Sequence, residues 1–261
     1  MTTVAEILSF IESIAPPYMA ESWDNVGLLC GRKEKKVRKI LVALDPFRNV
    51  IDAAIAEKAD LIVTHHPLIF RDALMAVNED TEAGRCVLTL IENGIAAINA
   101  HTNLDQAPGG VNDVLAATLG LKGIQIITPV PGEVPYGLLR CGTVDKQPLE
   151  QFLATVKANL KCDGLRYVSS NGTVHKVAVG GGSCADGMFE AKAAGCDTLV
   201  TSDAKYNQFR TAYELGLNLI DAGHFHTENP VVAALAGKLR AAFPDVEVKI
   251  CESHWDCMKY Y

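Results

Sequence analysis

A gap-free internal repeat constrains this chain most. Residues 39–64 align with residues 176–201 at an offset of 137 (39 to 176) over 26 positions. The register pairs Val42 with Val179, Ala54 with Ala191, Asp60 with Asp197, Val63 with Val200 and Thr64 with Thr201. Each copy reads as an apolar strand, a helix and a second apolar strand, which is the pattern of a βαβ unit. Parallel neighbours need a crossover, so a duplicated unit of this kind implies an α/β architecture. Further on, Asn93-Gly-Ile-Ala-Ala-Ile98 resembles Leu215-Gly-Leu-Asn-Leu-Ile220, with the second copy shorter by about 15 residues. Apolar spacing predicts helices over 4–14, 50–58, 82–92 and 111–119, and strands over 39–44, 61–64, 95–99 and 124–127. Pro129, Pro131, Gly132 and Pro135 mark an expected crossover between the halves.

The two copies differ where the second strand ends. The first ends in His65-His66-Pro67 and the second in Ser202-Asp203. The carboxyl ends of such strands are where α/β sheets place ligands. A strand sends neighbouring side chains to opposite faces, so two adjacent histidines converge only where the chain leaves it. Pro67 favours that departure because it lacks an amide proton. His101 and Asp105 follow a second apolar run, and His224, His226 and Glu228 follow a third. His224 and Glu228 share one face if a helix starts just after Gly223. His101 and Asp105 have the same spacing, but the following Gln106-Ala-Pro-Gly-Gly110 reads as a loop.

His65, His66, Asp105, His224 and Glu228 are too many donors for one catalytic zinc, which keeps three protein ligands and a water. A dinuclear centre accounts for all five, with His101 as a neighbour, an acid/base group or a weak ligand. Two divalent ions that acidify a water imply hydrolysis. Mixed imidazole and carboxylate donors accept zinc, iron, manganese or nickel. Gly180-Gly-Gly-Ser-Cys184 could admit a phosphate, or it lets a strand end pack closely on its neighbour. Cys251, His254 and Cys257 lie near one another, but their spacing matches no common zinc site and a fourth ligand is missing.

Composition narrows the partners. The formal charge of −7 argues against non-specific affinity for nucleic acid. The basic run 32–39 contains Glu34 and reads as a solvated turn. No apolar run approaches the roughly 18 residues of a membrane span. Glu6 and Glu12 interrupt the amino-terminal apolar positions, so no signal peptide is expected. Eight cysteines without a Cys-x-x-Cys pair suggest reduced, buried thiols and a cytoplasmic protein.

Several motifs together resemble the YbgI-like, or Ngg-interacting factor, family of GTP cyclohydrolase 1 type 2 homologues. They are Ser22-Trp-Asp-Asn-Val-Gly-Leu28, Thr64-His-His-Pro67, His101-Thr-Asn-Leu-Asp105, Gly180-Gly-Gly182, Thr201-Ser-Asp-Ala-Lys-Tyr206 and Gly223-His-Phe-His-Thr-Glu228. The resemblance covers essentially the whole chain and is to the short bacterial form. It implies two intertwined three-layer α/β domains with mostly parallel mixed sheets, a dinuclear metal centre and a homohexamer. The expected domains are 1–128 plus 223–261, which would carry the metal ligands, and 129–222. The ligands it implies are His65, His66, Asp105, His224 and Glu228, with His101 close by. The implied activity is purine ring opening on a small substrate such as GTP, with two divalent ions as cofactors. The alternatives are a metal-dependent binding or regulatory protein, or a hydrolase of another substrate. Ser202 stands where the family has glycine, Asn207 where it has histidine, and the tail 251–257 departs from the usual one.

Overall fold

The computed structural model describes residues 1–70 and 76–261. Two compact units divide the chain, Met1–Ala107 with Val232–Trp255, and Pro108–Val231 with Asp256–Tyr261. The first begins with α1 (Val4–Ile14), β1 (Gly27–Cys30), β2 (Lys39–Ala43), α2 (Arg48–Ala56) and β3 (Leu61–Thr64). It continues with α3 (Glu82–Glu92), β4 (Ala96–Asn99) and α4 (Thr102–Gln106). The second contains α5 (Val111–Thr118), β5 (Lys122–Ile126), β6 (Arg140–Pro148), α6 (Leu149–Leu160), β7 (Arg166–Val168) and β8 (Thr173–Val179). Then come α7 (Met188–Ala193), β9 (Thr198–Thr201), α8 (Tyr206–Glu214), β10 (Asn218–Asp221) and α9 (His224–Glu228). The chain re-enters the first unit within α10 (Pro230–Ala242) and ends its sheet with β11 (Glu247–Ile250).

The first sheet runs β1-β4-β3-β2-β11, parallel except where β1 meets β4. The second runs β5-β6-β8-β9-β10-β7, parallel only from β8 to β10. The order β1-β4-β3-β2 thus recurs as β7-β10-β9-β8. The repeat extends to single hydrogen bonds. Asp60 Oδ2 accepts from the amides of Arg38 and Lys39, and Asp197 Oδ2 from those of His175 and Lys176. Beyond β4 and β10 the offset becomes 122 (102 to 224), and it carries five-residue α4 onto five-residue α9.

Strand alternation builds the layers, because successive side chains face opposite sides of a sheet. In the second sheet Val177, Val179, Val200 and Ile220 pack with Leu115 of α5 and Phe152 of α6. Ala178, Leu199 and Leu219 face the other way, onto Met188 of α7 and Ala212 of α8. In the first sheet Leu41, Ala43, Ile62 and Ala97 pack against Val50 and Ile51 of α2 and Val87 and Leu90 of α3. Ile40, Val42, Leu61, Val63 and Ile98 are buried on the opposite side.

Two local expectations change. Residues 129–135, read as a crossover between halves, connect β5 to β6 within the second unit, where Val130 bridges Tyr136. The expected domain boundaries were 128/129 and 222/223, whereas the units divide at 107/108 and 231/232. The physical reason is that α5 buries Leu115 and Ala116 in the second core. Of residues 106–110, read as a loop, 107–110 are turn and bend, and the short helix α4 runs up to them through Gln106. No helix among the described residues is long and apolar enough to cross a membrane.

Candidate metal centre

In the first unit β3 ends at Thr64 and delivers both histidines. Their ring centroids lie 4.9 Å apart, so leaving the strand does bring them together. His65 is 1% exposed, and its Nδ1 donates to the Ala100 carbonyl at 2.8 Å. That bond fixes the tautomer and leaves Nε2 as the lone-pair nitrogen. His65 Nε2 stands 3.5 Å from Oδ1 of Asp105, which is buried on α4. Half-buried His66 donates from Nδ1 to Asp45 Oδ1 at 2.6 Å. The residue before α4, His101, donates from Nδ1 to Asp24 Oδ1 at 2.8 Å. One ligand nitrogen from each of His65, His66 and His101 lies within 4.8 Å of the other two.

The supporting carboxylates are strongly conditioned. Burial alone would raise Asp24, but hydrogen bonds from His101 and Thr102 outweigh it and hold the carboxyl well below its ordinary range. Asp45 behaves alike, with His254 and His66 overcoming its burial. Burial pushes His101 below the ordinary imidazole value despite the opposing pull of Asp24. It is therefore a neutral imidazole at pH 7, with Nε2 able to accept a proton.

In the second unit Gly223, at φ +83°, turns the chain from β10 into α9. The left-handed turn favours glycine, and it sets His224 and Glu228 one helical turn apart. His224 Nδ1 donates to Asp203 Oδ2 at 2.7 Å, and its Nε2 faces Glu228 Oε2 at 3.0 Å. His226 points elsewhere, with Nε2 at 3.2 Å from Asp256 and Nδ1 at 3.2 Å from the Leu160 carbonyl.

The glycine turn after β8 packs against α9. The Gly181 amide donates to Asn112 Oδ1 at 2.7 Å and the Gly182 amide to Thr227 Oγ1 at 3.1 Å. These two amides serve the fold, so the turn follows the close-packing reading and not the phosphate one. A Cβ on Gly182 would meet Glu228 Oε1 at 2.2 Å. Ser202 is buried and Asn207 is exposed on α8.

These residues suit divalent metal. Metal-binding histidines characteristically donate their second nitrogen to a carboxylate or carbonyl. His65, His66, His101 and His224 all do so. With Nδ1 protonated, His224 Nε2 and Glu228 Oε2 both present lone pairs, and a cation or a proton between them relieves the repulsion. His65 and Asp105 repeat the arrangement at 3.5 Å.

Sequence reasoning missed Asp24, Asp45 and Asp203 as supports. Asp45 follows β2, so the strand-end rule applied to it as well. Asp203 is the repeat equivalent of His66 at the 137 offset. The Cys251, His254 and Cys257 group does not form a metal site. Cys251 is buried in the first core, Cys257 is exposed, and His254 binds Asp45.

Comparison with known proteins gives the family. A Clostridium perfringens protein named GTP cyclohydrolase 1 type 2 homolog is 38% identical over 259 residues, covering 98% of each chain. The crystal structure of a Bacillus cereus protein related to NIF3 superposes with a TM-score of 0.93 at 26% identity, over 100% of this chain and 99% of the other. A Staphylococcus aureus protein superposes with a TM-score of 0.90 at 28% identity and the same coverage. Residues 2–256 match the Duf34/NIF3 (NGG1p interacting factor 3) family, and the chain is a member of it.

Proposed function

We propose that this protein is a dinuclear metal-dependent hydrolase whose ligands are His65, His66, Asp105, His224 and Glu228. The observation that carries the reading is the shared tautomer, with Nδ1 of each proposed histidine ligand donating to an oxygen and Nε2 left to bind. Bound divalent ions would acidify water and stabilise developing negative charge on a substrate. Around them His65 and His66 hold fixed orientations through Ala100 and Asp45. His101 would accept a proton at Nε2, while Nδ1 keeps its own proton in the hydrogen bond to Asp24.

The relatives' shared name suggests GTP as the first substrate to try, with opening of the purine ring as the reaction. We further infer a homohexamer in the cytoplasm. Six of the eight cysteines are buried thiols, which supports a reducing compartment. The test is metal analysis of freshly purified protein, then GTP turnover against bound metal per chain. Turnover that needs two ions supports the proposal. Full activity in metal-free protein would sink it, and metal uptake without turnover of any substrate would leave a metal-dependent binding protein. Light scattering that gave a monomer would remove the hexamer.

A further inference from the structure

The Asp45 carboxylate is shared between two imidazoles. Oδ1 accepts from His66 Nδ1 at 2.6 Å, and Oδ2 accepts from His254 Nε2 at 2.8 Å. His254 belongs to the segment that follows β11. Its side chain is 5% exposed and that of Asp45 is 14% exposed. The segment is anchored on both sides of this contact. The Cys251 amide donates to the Val42 carbonyl at 2.9 Å, and Asn49 Nδ2 donates to the Ser253 carbonyl at 2.6 Å.

We propose that His254 is a positioning residue for His66, acting through Asp45; this rests on reading His66 as a metal ligand. A carboxylate held at one oxygen can swing about its Cβ–Cγ bond and carry its partner ring with it. Held at both oxygens, it cannot turn without breaking a charge-assisted hydrogen bond. His254 thereby locks the plane of Asp45, Asp45 locks the His66 ring, and Nε2 is kept aimed. The tail makes a separate contact in the second unit, where Asp256 lies 3.2 Å from His226 in the middle of α9. Asp256 supports the neighbourhood of His224 and Glu228 and leaves the His66 geometry to His254.

The test compares His254→Gln with His254→Met. Both replacements have similar length, but only glutamine offers an N–H to Asp45. Metal-stripped protein is titrated with Co2+ against a competing chelator, and the Co2+ absorption band is recorded. We expect the methionine variant to bind on the order of ten-fold more weakly, the low end of outer-sphere effects. Its band should shift, while the glutamine variant stays close to wild type. A band shift reports altered ligand geometry, which a loss of stability alone would not produce. Wild-type affinity and band in the methionine variant, or equal weakening in both variants, would overturn the inference. Wild-type protein that took up no Co2+ would instead fail the ligand assignment beneath it.

Discussion

The turn after β2 and the turn after β8 occupy the same place in the two repeats. At the 137 offset Asp45 corresponds to Gly182. In the first copy the side chain at this position holds His66. In the second, the absence of a side chain lets Glu228 lie against the turn. The same division appears one strand over, where His65-His66 corresponds to Ser202-Asp203. There the first copy presents a candidate ligand, and the second presents the carboxylate that orients one on α9. Duplication supplied a common frame, and the chemistry then diverged position by position. Strand ends and the helices that follow them are free to change because the anchoring Asp60 and Asp197 bonds sit at the other ends of the strands.

The largest contrast should come from the strand ends. His65→Ala and His66→Ala should each lose at least one bound ion per chain and most activity, whereas Ser202→Ala should keep both. Metal analysis of the three variants checks this, and equal metal content would erase the asymmetry. Next is Gly182→Ala, where φ is +63° and the new Cβ would collide with Glu228. It should cost about 3 kcal/mol in urea unfolding and lower metal content through the displaced carboxylate.

Asp60→Ala and Asp197→Ala test the shared frame. Each removes one carboxylate oxygen accepting two backbone amides. Losses of about 1–3 kcal/mol, similar in the two variants, are expected from unfolding curves. Unequal losses would show that the halves do not lean on the motif alike.

The smallest effect is alkaline. Burial raises the Cys86 thiol to about 11 in the first unit and Cys196 to about 12 in the second. In the unfolded chain a cysteine thiol ionises at about 8.5. This stabilising contribution is therefore complete below that pH and is lost as pH rises towards the folded values. The unfolding midpoint should fall between pH 8 and pH 10, and Cys196→Ala should flatten the fall by about 1 kcal/mol.

Local signals carried much of the fold. The helix over 82–92 and the strand over 61–64 occur as read, because periodicity and end residues agree there. The repeat register then placed β9. Helix α4 escaped because one and a half turns before a proline carry little propensity of their own. Its first amide is capped by Asp24, a contact 78 residues away that no local pattern encodes. The same limit applies to the site. Histidines at strand ends stand out in one dimension, but their carboxylate partners are chosen by the fold. At the tail, where the spacing fits no common zinc site, Cys251, His254 and Cys257 do go to different environments.

The pairing of β11 with β2 has a consequence for how the chain is made. Glu247 sits opposite Lys39, so the first sheet lacks its edge strand until α10 and everything before it have been made. The second unit, apart from residues 256–261, lies wholly between them in sequence. On a ribosome it has left the exit tunnel while the first unit still waits with one strand edge open, and open edges invite pairing with other chains. His254 emerges later still. The strand-end histidines are thus made well before the residue that clamps Asp45, and a chain released in between would carry them with a loosely held His66.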